Sequence, residues 1–154
     1  MDRKSFRMRK LARTDEHLAL RLEEGDDFFP VLKAILVAEE ITTAVLLAAA
    51  GMMRDAEIGW NGGGTYLRQT FGEPLEILGL SGTVSRKPNG DPFFHAHATL
   101  GDSQHRAWGG HLFRAVVHET CELVFSLPKG MIFYRMPLRA DELPRFCPER
   151  SGSF

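Results

Sequence analysis

The chain has 154 residues, 44% hydrophobic and 25% charged, with a formal net charge of −1. That length suits one domain with its own core, and the near-zero charge argues against a surface built throughout to hold nucleic acid. Two cysteines without motif spacing indicate a reduced, cytoplasmic protein with no disulfide framework, and no membrane partner is expected.

The first ten residues, MDRKSFRMRK, have no apolar run behind them to serve as a signal peptide. Arg3, Lys4, Arg7, Arg9, Lys10 and Arg13 make residues 1–16 a basic arm. It is either a solvated terminus or a set of phosphate contacts to DNA, with an affinity that falls steeply with salt. Residues 17–22 alternate enough to predict a first strand, closed by the turn at 24–26. Asp27 suits a helix N-cap, and Pro30 is tolerated in the first turn because it needs no helical partner there. Phe28, Val31, Leu32, Ile35 and Leu36 recur at helical spacing, which predicts a helix lying across a sheet and ending near Glu40.

The longest apolar run, residues 41–53, falls short of the roughly twenty residues a bilayer requires. Its part over 43–50 suits a central strand covered on both faces. Strand, helix and strand together form a crossover unit. Further strands are predicted over 55–60, 75–80, 82–85, 93–100, 104–108, 111–117 and 120–127. Their separators at 61–64, 87–91, 101–103 and 109–110 carry turn chemistry. A short helix fits 65–70. Pro137, Pro144 and Pro148 predict an extended tail, placed at 141–154. One helix over a large, largely antiparallel sheet is an α+β domain, assigned to residues 17–140.

The chemistry concentrates in histidines. His95 and His97 share one strand face with Phe93 and Thr99, because strand side chains alternate. His111 follows just past the predicted turn at Gly109-Gly110 and is placed to meet them. Three imidazoles form the set that zinc accepts in an open tetrahedral site, with other divalent metals as alternatives. Metal binding needs neutral imidazoles and so falls away below a pH of roughly 6.5. The alternative is a group of hydrogen-bonded histidines within a sheet or at a subunit boundary. Glu76 interrupts the apolar residues Leu75, Ile77, Leu78 and Leu80, and a charge there needs a partner. It orients a histidine, acts as general base on a metal-bound water, or is an edge-strand charge that deters aggregation. His105 and His118 read as ordinary polar residues, the latter on one face with Arg114. Gly62-Gly63-Gly64 is a hairpin loop or a cradle of backbone N–H groups for phosphate, without the Gly-Lys-Ser/Thr of a P-loop. No nucleophile triad, carboxylate pair or cofactor fingerprint demands catalysis.

LRLEEGDDFFPVLKAIL at 20–36, GEPLEILGLSG at 72–82, HAHATLGD at 95–102 and GGHLF at 109–113 resemble, in order and spacing, the plants-and-prokaryotes conserved (PPC) domain. That domain is shared by plant AT-hook nuclear proteins and stand-alone bacterial and archaeal proteins. The resemblance spans roughly residues 17–140 and implies a sheet of about seven strands and a homotrimer. The plant proteins hold DNA through a separate Arg-Gly-Arg-Pro hook, which this chain lacks. Their partner-contacting Gly-Arg-Phe-Glu-Ile-Leu element corresponds here to Gly72, Leu75, Glu76, Ile77 and Leu78, with one residue more and no arginine. Three functions are compatible with these features. The favoured one is an oligomeric binding module associated with DNA or a transcription partner. The others are a metal-dependent hydrolase using His95, His97, His111 and Glu76, and a small-ligand sensor with a pocket between subunits.

Overall fold

Alternation governs the strands of this chain, seen here in a computed structural model that describes residues 10–140 and 142–152. Strand β1 (Leu11–Arg13) pairs with β2 (His17–Glu23). β2 buries Leu18, Leu20 and Leu22, every second residue, against the core. Helix α1 (Phe28–Ala38) follows and buries Phe28, Leu32 and Leu36, as its apolar stripe predicts. Asp27 has the extended backbone of an N-cap, but its side chain makes no capping hydrogen bond. The helix stops at Ala38, short of the predicted end, because Glu40 turns into the left-handed region at φ 54°.

The remaining strands are longer than the sequence suggests. The strands predicted at 43–50 and 55–60 are one, β3 (Ala44–Asn61). Its bulges absorb the breaks in alternation while it stays paired to β7 (Ala107–Ser126). Gly51 lies on this path at φ 129°, and a Cβ there would stand 2.0 Å from the Thr120 carbonyl oxygen. β3 is covered on one side only, since Leu47 is 56% exposed. Residues 65–70 belong to a strand, β4 (Tyr66–Phe71), and not to the predicted helix. β4 folds back on β3 with Asn61 opposite Tyr66. In the turn between them the Asn61 side-chain oxygen accepts the N–H groups of Gly63 and Gly64 at 3.0 and 3.2 Å. The candidate phosphate cradle is thereby satisfied by its own chain.

β5 (Leu75–Arg86) joins the segments predicted at 75–80 and 82–85 through Ser81, paired in register with His97, and carries a bulge between Ile77 and Gly79. β6 (Pro92–Gly101) matches its prediction. β7 merges the strands predicted at 111–117 and 120–127 with the last two residues of the one predicted at 104–108, whose residues 104–106 lie in a turn instead. β8 (Met131–Met136), where no strand was predicted, forms an antiparallel pair with β9 (Arg145–Arg150), which lies in the region expected to be an extended tail. Pro148 is tolerated there because β9 is an edge strand.

The sheet runs β1-β2-β7-β3-β5-β8-β9, with β4 on β3 and β6 joining β5 to β7. Among the described residues it has nine strands where the resemblance implied about seven, and only the β5–β8 contact is parallel. β2 and β3 flank β7 antiparallel on both sides, so the crossover through α1 holds with β7 inserted between its strands. Pairing of β3 with β5, β5 with β6, β6 with β7 and β7 with β3 closes a ring. Phe94, Ala96, Ala98 and Leu100 of β6 point into the core, which leaves His95, His97 and Thr99 on its other face. Among the described residues no helix is long and apolar enough to cross a membrane.

Candidate metal centre

The histidines meet because of a cross-strand register. β6 and β7 pair with His97 directly opposite His111, a separation that brings side chains into contact. His95 lies two residues back on the same face. Ring centroids are 5.1 Å apart for His95–His97, 5.0 Å for His95–His111 and 5.4 Å for His97–His111. One nitrogen from each ring lies within 4.8 Å of the other two.

His111 sits within β7 and not past a turn, which corrects the reading of Gly109-Gly110. Gly110 is a point of close approach: a Cβ there would lie 2.7 Å from the Gly59 carbonyl oxygen of β3. The same signal, glycine, serves turns and tight strand contacts alike. Tyr66 and Phe113 complete the wall, their rings 5.5 and 4.5 Å from that of His111.

The surroundings of His95 and His111 favour their neutral forms. Burial, and then the charges of Arg135, His111 and His97, push the His95 pKa down to about 4. Burial also lowers that of His111, helped by His97, Arg68 and Arg135. His111 Nδ1 is buried with no hydrogen-bond partner among the described residues. A convergent and partly unpartnered imidazole set is the donor chemistry of a zinc-type ion. Zinc bound at 2.0–2.1 Å brings tetrahedral nitrogens to about 3.3 Å, so the rings must turn inward to close on it. Three histidine ligands would leave a fourth position open.

Glu76 is not part of this group. It is exposed and pairs with Gly101, whereas His97 pairs with Ser81. Four residues of β6 separate the two pairs, about 13 Å at strand rise. β5 lies between β3 and β6, so Glu76 is not an edge-strand charge either. Of the element matched to the plant partner-contacting segment, Leu75 and Ile77 are core residues, while Gly72, Glu76 and Leu78 are exposed.

Arg3, Lys4, Arg7 and Arg9 lie outside the described residues. Lys10 pairs with Glu23 and Arg13 with Glu39, so both basic residues are held by the domain itself. His118 Nδ1 stands 3.2 Å from a Glu24 oxygen, and His105 occupies a turn at φ 61°.

Two features escape sequence reasoning. Arg135 comes from β8, for which no strand was predicted. Asp102 was seen only as a turn residue, yet its buried carboxylate organises the β6–β7 connection. It accepts the backbone N–H groups of Gln104 and Arg106, Arg106 Nε and Trp108 Nε1 at 2.7–3.1 Å. Burial raises its pKa, but these donors together outweigh burial and hold the carboxyl well below the usual carboxylate range.

The sequence profile of the Plants and Prokaryotes Conserved (PCC) domain matches residues 9–127. A PPC protein of Pyrococcus horikoshii superposes with a TM-score of 0.77 at 27% identity, covering 91% of this chain and 94% of that one. A metal-containing protein of Archaeoglobus fulgidus superposes with a TM-score of 0.74 at 32% identity, covering 89% and 94%. The bifunctional protein GlmU of a Synechococcus strain is 31% identical over 120 residues, 77% of this chain, and the chain spans 18% of its length. The order of the elements, the matched profile and these superpositions agree, and the chain belongs to the Plants and Prokaryotes Conserved domain family.

Proposed function

We propose that this chain is a metal-binding member of its family, with His95, His97 and His111 holding one zinc-type divalent ion. The observation that carries this reading is the convergence of three imidazole nitrogens within 4.8 Å on one sheet face. The 32% identity to the metal-containing archaeal protein supports it. Such an ion supplies a Lewis acid with a free position for a ligand. The chain's own residues hold it, with Tyr66 and Phe113 forming an apolar wall. Catalysis through Glu76 finds no support in its placement, so the ion is read as a ligand-binding centre. DNA association likewise gains no support from Lys10 and Arg13, which are paired internally.

The test is the metal content of untagged protein, purified without chelator, by inductively coupled plasma mass spectrometry. Near one ion per chain is expected, and its loss in His97→Ala with the fold retained, since His97 is exposed. Metal absent from the wild-type protein would end this reading. The expected homotrimer is part of the same proposal. Leu47, Trp60, Leu67 and Leu78 are each more than half exposed, apolar area that a subunit contact would cover. Light scattering should give about three times the 17.3 kDa chain mass.

A further inference from the structure

Beside the histidines lies a cavity of about 620 Å³, with Tyr66, Phe93, Phe113, His95, His111 and Arg135 among its walls. This is the size range of small-molecule sites. Its formal charges are all positive among the described lining residues, since Lys87 and Arg135 are present and no aspartate or glutamate is. Arg135 stands out chemically. Its Nη1 donates to the Pro144 carbonyl over a long 3.4 Å. Its Nε and Nη2 are buried and find no acceptor among the described residues. The guanidinium carbon lies 5.4 Å from the centre of the Phe93 ring.

A guanidinium stays protonated in proteins. Two of its donors buried without an acceptor are unfavourable for the folded chain. Nε and Nη2 form one edge of the group, the edge that receives a carboxylate through two parallel hydrogen bonds. The aromatic walls suit an apolar body and not a second charge.

We propose that this cavity binds a small organic acid with a flat apolar body, its carboxylate seated on the Nε and Nη2 edge of Arg135. The body lies against Phe93, Phe113 and Tyr66. The two donors are closed to solvent, so the acid reaches them once the long Nη1 hydrogen bond to the Pro144 carbonyl opens and the guanidinium turns its Nε and Nη2 edge towards the cavity. The inference stands on Arg135 and the cavity and does not require the metal. An ion on the histidines would add positive charge to the same cavity and strengthen binding.

The probe is phenylacetate, titrated into the full chain by isothermal calorimetry, once after chelator treatment and once with zinc added. Saturable binding is expected at about a millimolar or tighter for a ligand of this size. Arg135→Gln should weaken it about tenfold or more, the loss of a charge-assisted pair. 2-Phenylethanol, the uncharged analogue, and inorganic phosphate should not bind at the same concentration. The comparison of phenylacetate with 2-phenylethanol uses unaltered protein, so it tests the charge even where Arg135→Gln folds poorly. No saturable phenylacetate binding, or equal binding of 2-phenylethanol or of inorganic phosphate, overturns the proposal. So does full affinity in a folded Arg135→Gln protein. Binding by chelator-treated protein upholds the acid site even where the metal reading has failed.

Discussion

Gly110→Ala probes the contact that sets the candidate site. A Cβ at this position would meet the Gly59 carbonyl oxygen at 2.7 Å, its carbon at 3.2 Å and its nitrogen at 3.3 Å. All three are backbone atoms of β3, so no side chain can swing aside. A carbon–oxygen contact settles near 3.3–3.6 Å, so β3 and β7 must part locally by about 0.6 Å or more. Overpacking of this kind costs about 1–3 kcal/mol. For a domain of this size that lowers Tm by about 2–12 °C. His111 is the next residue and pairs with Gly59 and His97, so the strand shift should also weaken metal retention. Gly109→Ala is the control. Its Cβ would have its nearest neighbour, the Ala98 oxygen, at 3.4 Å, and a change within about 0.5 kcal/mol is expected. Thermal unfolding and metal content of the two variants decide the matter. Equal melting temperatures and equal metal content would refute the claim that close approach, and not turn formation, requires glycine at 110.

Zinc at a hundredfold excess over its Kd should stabilise the wild-type protein by about 2.7 kcal/mol, a Tm rise of about 5–11 °C. A similar rise in His97→Ala would show that the histidine cluster is not the site. In chelator-treated protein the His95 pKa of about 4 lies below its unfolded value near 6.5. The unfolded chain therefore takes up a proton that the fold resists. Stability should be fully present above pH about 6.5 and fall as pH drops towards 4, by about 1–2 kcal/mol after allowance for solvent screening. Urea unfolding across this range should show a flatter profile for His95→Gln; identical profiles would contradict the assignment. Asp102→Ala should loosen the β6–β7 turn, lowering Tm and speeding amide hydrogen exchange at Gln104 and Arg106, whose N–H groups it holds. Unchanged exchange at both would show that the carboxylate does not organise the turn.

What the sequence determined by itself is local. Alternation in PFFHAHATL put His95 and His97 on one face, since a period of two belongs to the strand alone. The stripe from Phe28 to Leu36 specified the helix and its buried face for the same reason. Family motifs in order then pointed to the domain, and the sheet with its single helix agrees. Long-range pairing was not legible. Gly51, Ser81 and Gly109-Gly110 read as interruptions, yet the strands run through them, because pairing across the sheet sustains a strand where local pattern fails. Tyr66 to Phe71 became a strand because β3 offered it an edge. Glu76 was matched to the histidines because a charge in an apolar strand needs a partner; its strand does pair with that of His95 and His97, but the register carries it some four residues away. The third imidazole reached the other two only through the β6–β7 register, and Arg135 reached the cavity only because β8 crosses beside β5. Residues far apart in the chain meet by packing, and tertiary structure alone decides which of them do.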